Sequence, residues 1–357
     1  MGLAGRAILA AALSMPILET ARAETVPESA VISYKYLDYQ ESQLGEDRIG
    51  VKARAWSVLL PFAGDWSVQA TYTKDAVSGA SPRFWSKAAA SMRDNREAKD
   101  ISVTRYFSHD TLTIGASLSD ENDYRSEGFS FAGTHSTEDK NTTFNYGFAV
   151  TNDDISSNGL QENKRKVDWA LGITQILTSK DIVQLTVTDV QGKGYFTDPY
   201  KLFDLRPDSR HQNTAQVRWN HFIEGSDATL RLSYRYYTDS WSIKAHTLGV
   251  EYVQPLPGGW VLTPSLRVHD QSAAEFYVNP ADFPWTATYS SLDQRLSAFG
   301  ARTYGFKVSK TFDANWTVDV KYEKYLQRSG WRLFGQGSPD IDPFDAKMFQ
   351  LGVSYRF

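Results

Sequence analysis

Apolar and polar residues alternate with a period of two along most of this chain. Leu230, Leu232, Tyr234 and Tyr236 take every second place, and Thr229, Arg231, Ser233 and Arg235 fill the places between. Trp316, Val318, Val320 and Tyr322 stand likewise against Thr317, Asp319, Lys321 and Glu323. Successive side chains of a strand point to opposite faces, so each segment predicts a strand with one greasy face and one wet face. A charge at alternate places is tolerable only where that face meets water, which favours a solvated lumen over a packed sandwich core. Milder versions of the pattern recur at 66–72, 112–118, 144–150, 169–173 and 183–187.

Sixteen strands are predicted: 31–41, 47–60, 64–75, 98–107, 110–120, 124–133, 141–152, 164–177, 180–191, 210–222, 227–238, 243–254, 260–271, 300–312, 315–328 and 346–357. The alternation slips phase in the first two and in 98–107, so fourteen or eighteen strands are the alternatives. An even count is what a single-chain bacterial barrel requires. Connections alternate in length. Short turns fall at 61–64, 108–109, 178–179, 223–226, 255–259 and 313–314, with a longer one at 133–140. The opposite set includes long segments at 76–97, 192–209, 272–299 and 329–345. Short turns on the periplasmic side and long loops outside are the outer-membrane asymmetry. The expected fold is an all-β, transmembrane, antiparallel up-and-down β-barrel.

The last strand alternates into the final residue, with Phe349, Leu351, Val353, Tyr355 and Phe357 on one parity. A terminal aromatic is the usual assembly signal of outer-membrane barrels, so Tyr355 and Phe357 are expected to be read by the barrel assembly machinery. Arg6, the apolar run from Ala7 to Leu18 and Ala21-Arg22-Ala23 read as a secretory signal cut after Ala23, leaving 24–357 as one barrel domain. That run is shorter than the roughly 20 residues a helical span needs. Mean hydropathy is negative, as expected when half of every spanning strand faces water. Cys is absent, which excludes disulfides, thiolate nucleophiles and iron–sulfur ligands.

Candidate chemistry is sparse. The 6 His are scattered without metal-ligand spacing, and His269-Asp270 is the one adjacent acid–base pair. Asp120, Glu121 and Asp123, with Asp139, Asp153 and Asp154 farther along, form acidic stretches that match no EF-hand loop. The polar parity is more informative. It carries Arg48, Lys52, Arg54, Arg218, Arg231, Arg235, Arg267, Lys307, Lys321 and Arg356 against Asp168, Glu251, Asp319 and Glu323. Rings of Arg and Lys favour anions in a pore. Alternatively these cations pair with inward-folded acidic loops and plug the barrel. Arg218, Arg231, Arg235, Arg267, Lys307 and Lys321 are the selectivity candidates.

Ser78-Gly79-Ala80-Ser81-Pro82 opens the first long loop, where Gly79 permits positive φ and Pro82 fixes its own. The loop could fold into the mouth with Phe84 and Trp85 as its apolar anchor. Together with Ser119-Asp120-Glu121-Asn122-Asp123-Tyr124-Arg125-Ser126, Lys140-Asn141-Thr142-Thr143, the segment 92–96 and the terminal Phe, it resembles the exported barrel family catalogued as domain of unknown function 3570. The resemblance covers essentially the whole chain after the signal. It implies an outer-membrane location in a Gram-negative bacterium, with no established activity or ligand. Similar proteins are encoded beside a periplasmic thioredoxin-like protein, a small lipoprotein and a flavin transferase, a hint of periplasmic redox partners. The expected role is non-enzymatic, porin-like passage of small solutes or ions through a cation-lined lumen. A non-conducting barrel serving a periplasmic partner system is the alternative. Membrane lipid is the expected surroundings, and neither a cofactor nor nucleic acid is expected.

Overall fold

The strands close on themselves. A computed structural model of the protein describes residues 25–79, 92–157, 159–201, 203–279, 282 and 287–357. The predicted cleavage site, Ala80, Ser81, Pro82 and the Phe84–Trp85 anchor lie outside these residues. Sixteen strands follow in order: β1 (Val31–Gln43), β2 (Glu46–Phe62), β3 (Trp66–Gly79), β4 (Met92–Tyr106), β5 (Asp110–Asp120), β6 (Tyr124–Ser136), β7 (Thr142–Ser157), β8 (Leu160–Ile176), β9 (Asp181–Gly194), β10 (Ser209–Ile223), β11 (Ala228–Asp239), β12 (Lys244–Leu256), β13 (Trp260–Gln271), β14 (Phe299–Phe312), β15 (Trp316–Arg328) and β16 (Phe344–Arg356). Each pairs antiparallel with its neighbours in sequence, and β1 pairs with β16 to shut the ring. Closure leaves no unpaired sheet edge, which is the condition for crossing lipid with strands. No helix among the described residues is long and apolar enough to cross a membrane.

The seam runs from Val31 opposite Arg356 to Gln43 opposite Phe344. Phe357 extends it, exchanging both backbone hydrogen bonds with Ala30 at 3.1 and 3.0 Å. Its ring stacks on Tyr355 at 5.9 Å, and Tyr355 packs on Trp316 at 4.7 Å. This aromatic row marks the turn end of the wall, and Tyr34, Trp56 and Tyr72 make a second row, 5.5 and 5.7 Å apart, toward the loop end. Between such girdles the outer face is apolar: Ile114, Phe129, Trp169, Leu171 and Leu248 are all exposed there. Two aromatic girdles bounding an apolar band are the mark of a lipid-facing wall.

Several strands run past the band at the loop end. β3 continues to Gly79 and β4 starts at Met92, so both flanks of the expected loop 76–97, residues 76–79 and 92–97, are ladder, with Ser78 opposite Arg93 and Gly79 opposite Met92. Outside the band their outer faces turn polar, as the Lys74–Glu97 pair (3.0 Å) and the Arg125–Glu127 pair (2.8 Å) show. This change corrects the expected facing of β2. Lys52 and Arg54 share the parity of Trp56 and Leu60 and point outward, exposed, rather than into the lumen. The inward parity instead carries Val51, Ala53 and Ala55. These pack with Leu37, Tyr39, Phe344, Ala346 and Met348 into an apolar cluster on the inner wall at the seam. Arg48 is buried beside the bulge where the β1–β2 register shifts, 3.5 Å from Glu46.

Candidate functional site

The inner wall is two-sided. From β3 to β9 it is lined mainly by Gly, Ser and Thr, and a cavity of about 220 Å³ opens there beside Asp100, Ser102, Gly115, Ser117, Gly128 and Ser130. From β10 to β16 it carries the cations. The register places Arg218, Ser233, Gly249 and Arg267 in one row across β10–β13. The next row toward the loop end holds Gln216, Arg235, Thr247 and His269, and the next toward the turn end holds Asn220, Arg231, Glu251 and Ser265. Lys307 and Lys321 are direct partners farther toward the turn end. All six expected selectivity residues therefore share the inner face.

Some of this charge is matched locally. Arg231 lies 3.7 Å from Glu251, and Lys321 lies 3.2 Å from Glu323. Arg235 reaches the Thr214 hydroxyl at 3.4 Å and covers the Tyr237 ring. Arg218, Arg267 and Lys307 form no ion pair among the described residues. Arg231, Arg235 and Arg267 are exposed inside the barrel, so this part of the lumen is open to water rather than packed.

Two long loops close over this wall. The described residues of segments 195–208 and 272–298 are bridged by backbone bonds between Leu205 and Ser290. At their centre Asp293 accepts from Arg206 at 2.8 Å, lies 3.3 Å from Lys201 and also pairs with Arg295. Arg295 reaches Asp198 at 2.8 Å, and Arg206 reaches Asp204 at 2.8 Å. Three cations and three carboxylates balance. Burial alone would push the Asp293 carboxyl up, but Arg295, Lys201 and Arg206 hold it well below the ordinary carboxylate range. Asp198, equally removed from water, is likewise held down by Arg295.

Beside this ionic centre, Phe196, Trp241, Ile243, Ala274, Phe276 and Leu296 form an apolar knot. The cap is tied around the rim. Gln294 accepts from Gln43 of β1 at 2.9 Å, and Tyr200 donates to Asp123 at the β5–β6 tip. Lys164 of β8 lies over Phe196, and the Ala298 amide donates to Ser338 at 2.9 Å. Anchors on β1, the β5–β6 tip, β8 and the β15–β16 loop mean that the cap spans the mouth. The sequence carried one signal for it, an Asp-x-Arg triplet in each of the two loops, Asp204-Leu205-Arg206 and Asp293-Gln294-Arg295.

Other candidates separate. His269 faces the lumen and bonds Thr247 at 2.8 Å, whereas Asp270 faces out and accepts from the Leu333 amide at 2.8 Å. They lie on opposite faces of one strand and cannot act as a dyad. Asp139 sits in the turn between β6 and β7, at the far end of the barrel from Asp120 and Asp123. Asp153 is an inward, buried partner of Lys164 (3.1 Å) and Lys166 (3.8 Å). No group of three His, Cys, Asp or Glu poised for a metal occurs among the described residues.

A closed sixteen-strand antiparallel ring with an apolar outer band and a polar lumen defines an outer-membrane-type β-barrel. The family described as "Protein of unknown function (DUF3570)" matches residues 86–162 and 156–348, and the chain belongs to it. No curated protein matches the sequence. Among solved structures, the chain is similar to a bacterial polysaccharide outer membrane secretin, at TM-score 0.56 and 10% identity over 94% of this chain and 100% of that one. It is also similar to CdiB from Acinetobacter baumannii, at TM-score 0.53 and 8% identity over 91% of this chain and 60% of that one. At such identities the likeness concerns the fold.

Proposed function

We propose that the protein resides in the outer membrane of a Gram-negative bacterium and provides a capped, porin-like passage for small hydrophilic solutes, anions above cations. The observation that carries this reading is the set of water-exposed cations on the inner wall of β10–β15 beneath the cap. A cationic wall of low dielectric raises the local concentration of anions. Reversal potentials of purified protein in a salt gradient should show chloride preferred over potassium. Replacing Arg218, Arg231 and Arg235 together with Gln should shift the preference toward cations. The preference should fade at high salt, because the Debye length falls to about 3 Å at 1 M. Cation selectivity in the unmodified barrel would refute the cationic lumen as its filter.

A second reading has its own support. The cap and the inward apolar cluster at the seam narrow the loop end, as in a non-conducting barrel that serves a periplasmic partner system, a redox one by the family resemblance. Absence of conductance both in the native protein and in a variant with the cap broken would favour that reading over passage.

A further inference from the structure

On the inner wall, Ser233 and Gly249 are small residues in a register row flanked by arginines. Arg218 and Arg267 stand at the two ends of their register row, and Arg235 stands one row toward the cap with its guanidinium resting on Thr214 and Tyr237. The hydroxyl of Ser233 fills the space that a Cβ on Gly249 would claim, lying 2.5 Å from its ideal position. The middle of the row thus carries one hydroxyl and no larger group. Every carboxylate on the inward face of β10–β13 already has a cation. Asp239 accepts from Arg210 Nε at 2.9 Å, and Glu251 faces Arg231 at 3.7 Å. Arg218, Arg235 and Arg267 have no carboxylate partner among the described residues.

The geometry points to a binding seat for a multiply charged tetrahedral oxyanion, a phosphate or sulfate group, held by Arg218, Arg235 and Arg267 over Ser233. This deepens the anion reading of the lumen and rests on it. Guanidinium is a planar fork of donors that meets oxyanions in pairs of charge-assisted bonds. Two forks flanking Ser233 in its row, joined by that of Arg235 swinging down from Thr214 on the cap side, suit four acceptor oxygens carrying two charges. A planar carboxylate would use fewer of them, and chloride has no oxygens to orient. The seat lies directly below the cap, since Tyr237, two residues beyond Arg235, packs against the apolar knot. Gln271, two residues beyond His269, donates to the backbone carbonyls of Arg295 and Ser297 at 2.8 and 3.0 Å. A solute held there is shielded on its loop side and open toward Lys307, Lys321 and the turn end.

The test is calorimetric titration of the folded, detergent-solubilised full chain with inorganic phosphate and, in a second arm, sulfate. Saturable binding of either is expected, and chloride at matched ionic strength should not reproduce it. Arg218→Gln and Arg267→Gln should each weaken binding at least about tenfold, the loss expected for a charge-assisted pair. Arg231→Gln should weaken it far less, because Arg231 is committed to Glu251. Arg267→Lys, keeping charge without the fork, should fall between. Heat-modifiable migration confirms that each variant is folded. Lack of saturable binding by the native protein overturns the seat, whatever the variants do, and so does equal binding by Arg231→Gln, Arg218→Gln and Arg267→Gln. Binding without conductance refutes passage and leaves the seat standing. Conductance without phosphate or sulfate binding does the reverse.

Discussion

Asp293 concentrates the energetics of the cap in one carboxylate. Its side chain is shut off from solvent and meets Arg206, Lys201 and Arg295 at once. Removing one partner of a buried ionic cluster strands the remaining charges, at a cost of about 3–5 kcal/mol. Asp293→Asn should therefore loosen segments 195–208 and 272–298 without dissolving the barrel. Limited proteolysis should cut these segments faster in the variant, and single-channel steps should grow. Unchanged protease resistance would mean that the apolar knot around Trp241 holds the cap alone. The pH dependence has a definite sign. A carboxylate held below its usual range stabilises the folded cap above the ordinary value near about pH 4, and that support is lost as pH falls through the lowered one. The cap should stay shut from neutral pH down to about 5 and open only in stronger acid. Opening between pH 5 and 7 would show that another group controls it.

Strands decide which residues meet lipid, and β11 and β15 show the rule cleanly. Leu232 pairs with Trp219 and Val250 on the outer face, while Arg231 pairs with Asn220 and Glu251 inside. A cationic side chain at a lipid-facing midplane position costs about 2–4 kcal/mol. Leu232→Arg should accordingly lower folding stability by about that amount, and Arg231→Leu by much less. Urea titration of tryptophan fluorescence in lipid vesicles measures both, and the opposite order would invert the facing of the wall. β1 and β2 break the rule for a physical reason. Near the loop end their inner side chains pack on one another at the seam and their outer side chains have left the bilayer. Polarity there is exchanged between the faces, which is why Lys52 and Arg54 stood on the wrong side in the sequence reading. The slipped phase in 98–107 has the same origin, because β4 begins at Met92 above the membrane and only Ile101 and Val103 lie in its apolar band.

At the scale of the whole molecule, closure rests on β1 and β16. Their ladder joins the two ends of the chain, so its formation completes the ring, and Phe357 adds the last backbone pair with Ala30. We propose that the half-buried Tyr355 and the exposed Phe357, stacked on the outer face beside Trp316, are what the assembly machinery reads. Deleting Phe357, or replacing it with Asp, should reduce the heat-modifiable barrel recovered from outer membranes. Undiminished insertion would assign Phe357 to the girdle alone.

The period of two by itself marked the strands and the inward set from Arg218 to Lys321, while the closed ladder decided sixteen over fourteen or eighteen and the order of the ring. The strands and their facing are local consequences of a pleated strand with lipid on one side and water on the other, repeated sixteen times. The turns were legible because tight connections need their own residues, as at Gly258 and Gly259, both at positive φ. What the loops do was decided only in three dimensions. Asp204-Leu205-Arg206 and Asp293-Gln294-Arg295 lie 87 residues apart along the chain, and no periodicity links them. They meet because closing the barrel brings the β9–β10 and β13–β14 loops over one mouth, where burial makes each charge seek the other's partner. The pairing of β10 to β13 likewise sets Arg218, Arg235 and Arg267 near Ser233. Alternation put each of them on the inner wall, but the strand register made them neighbours.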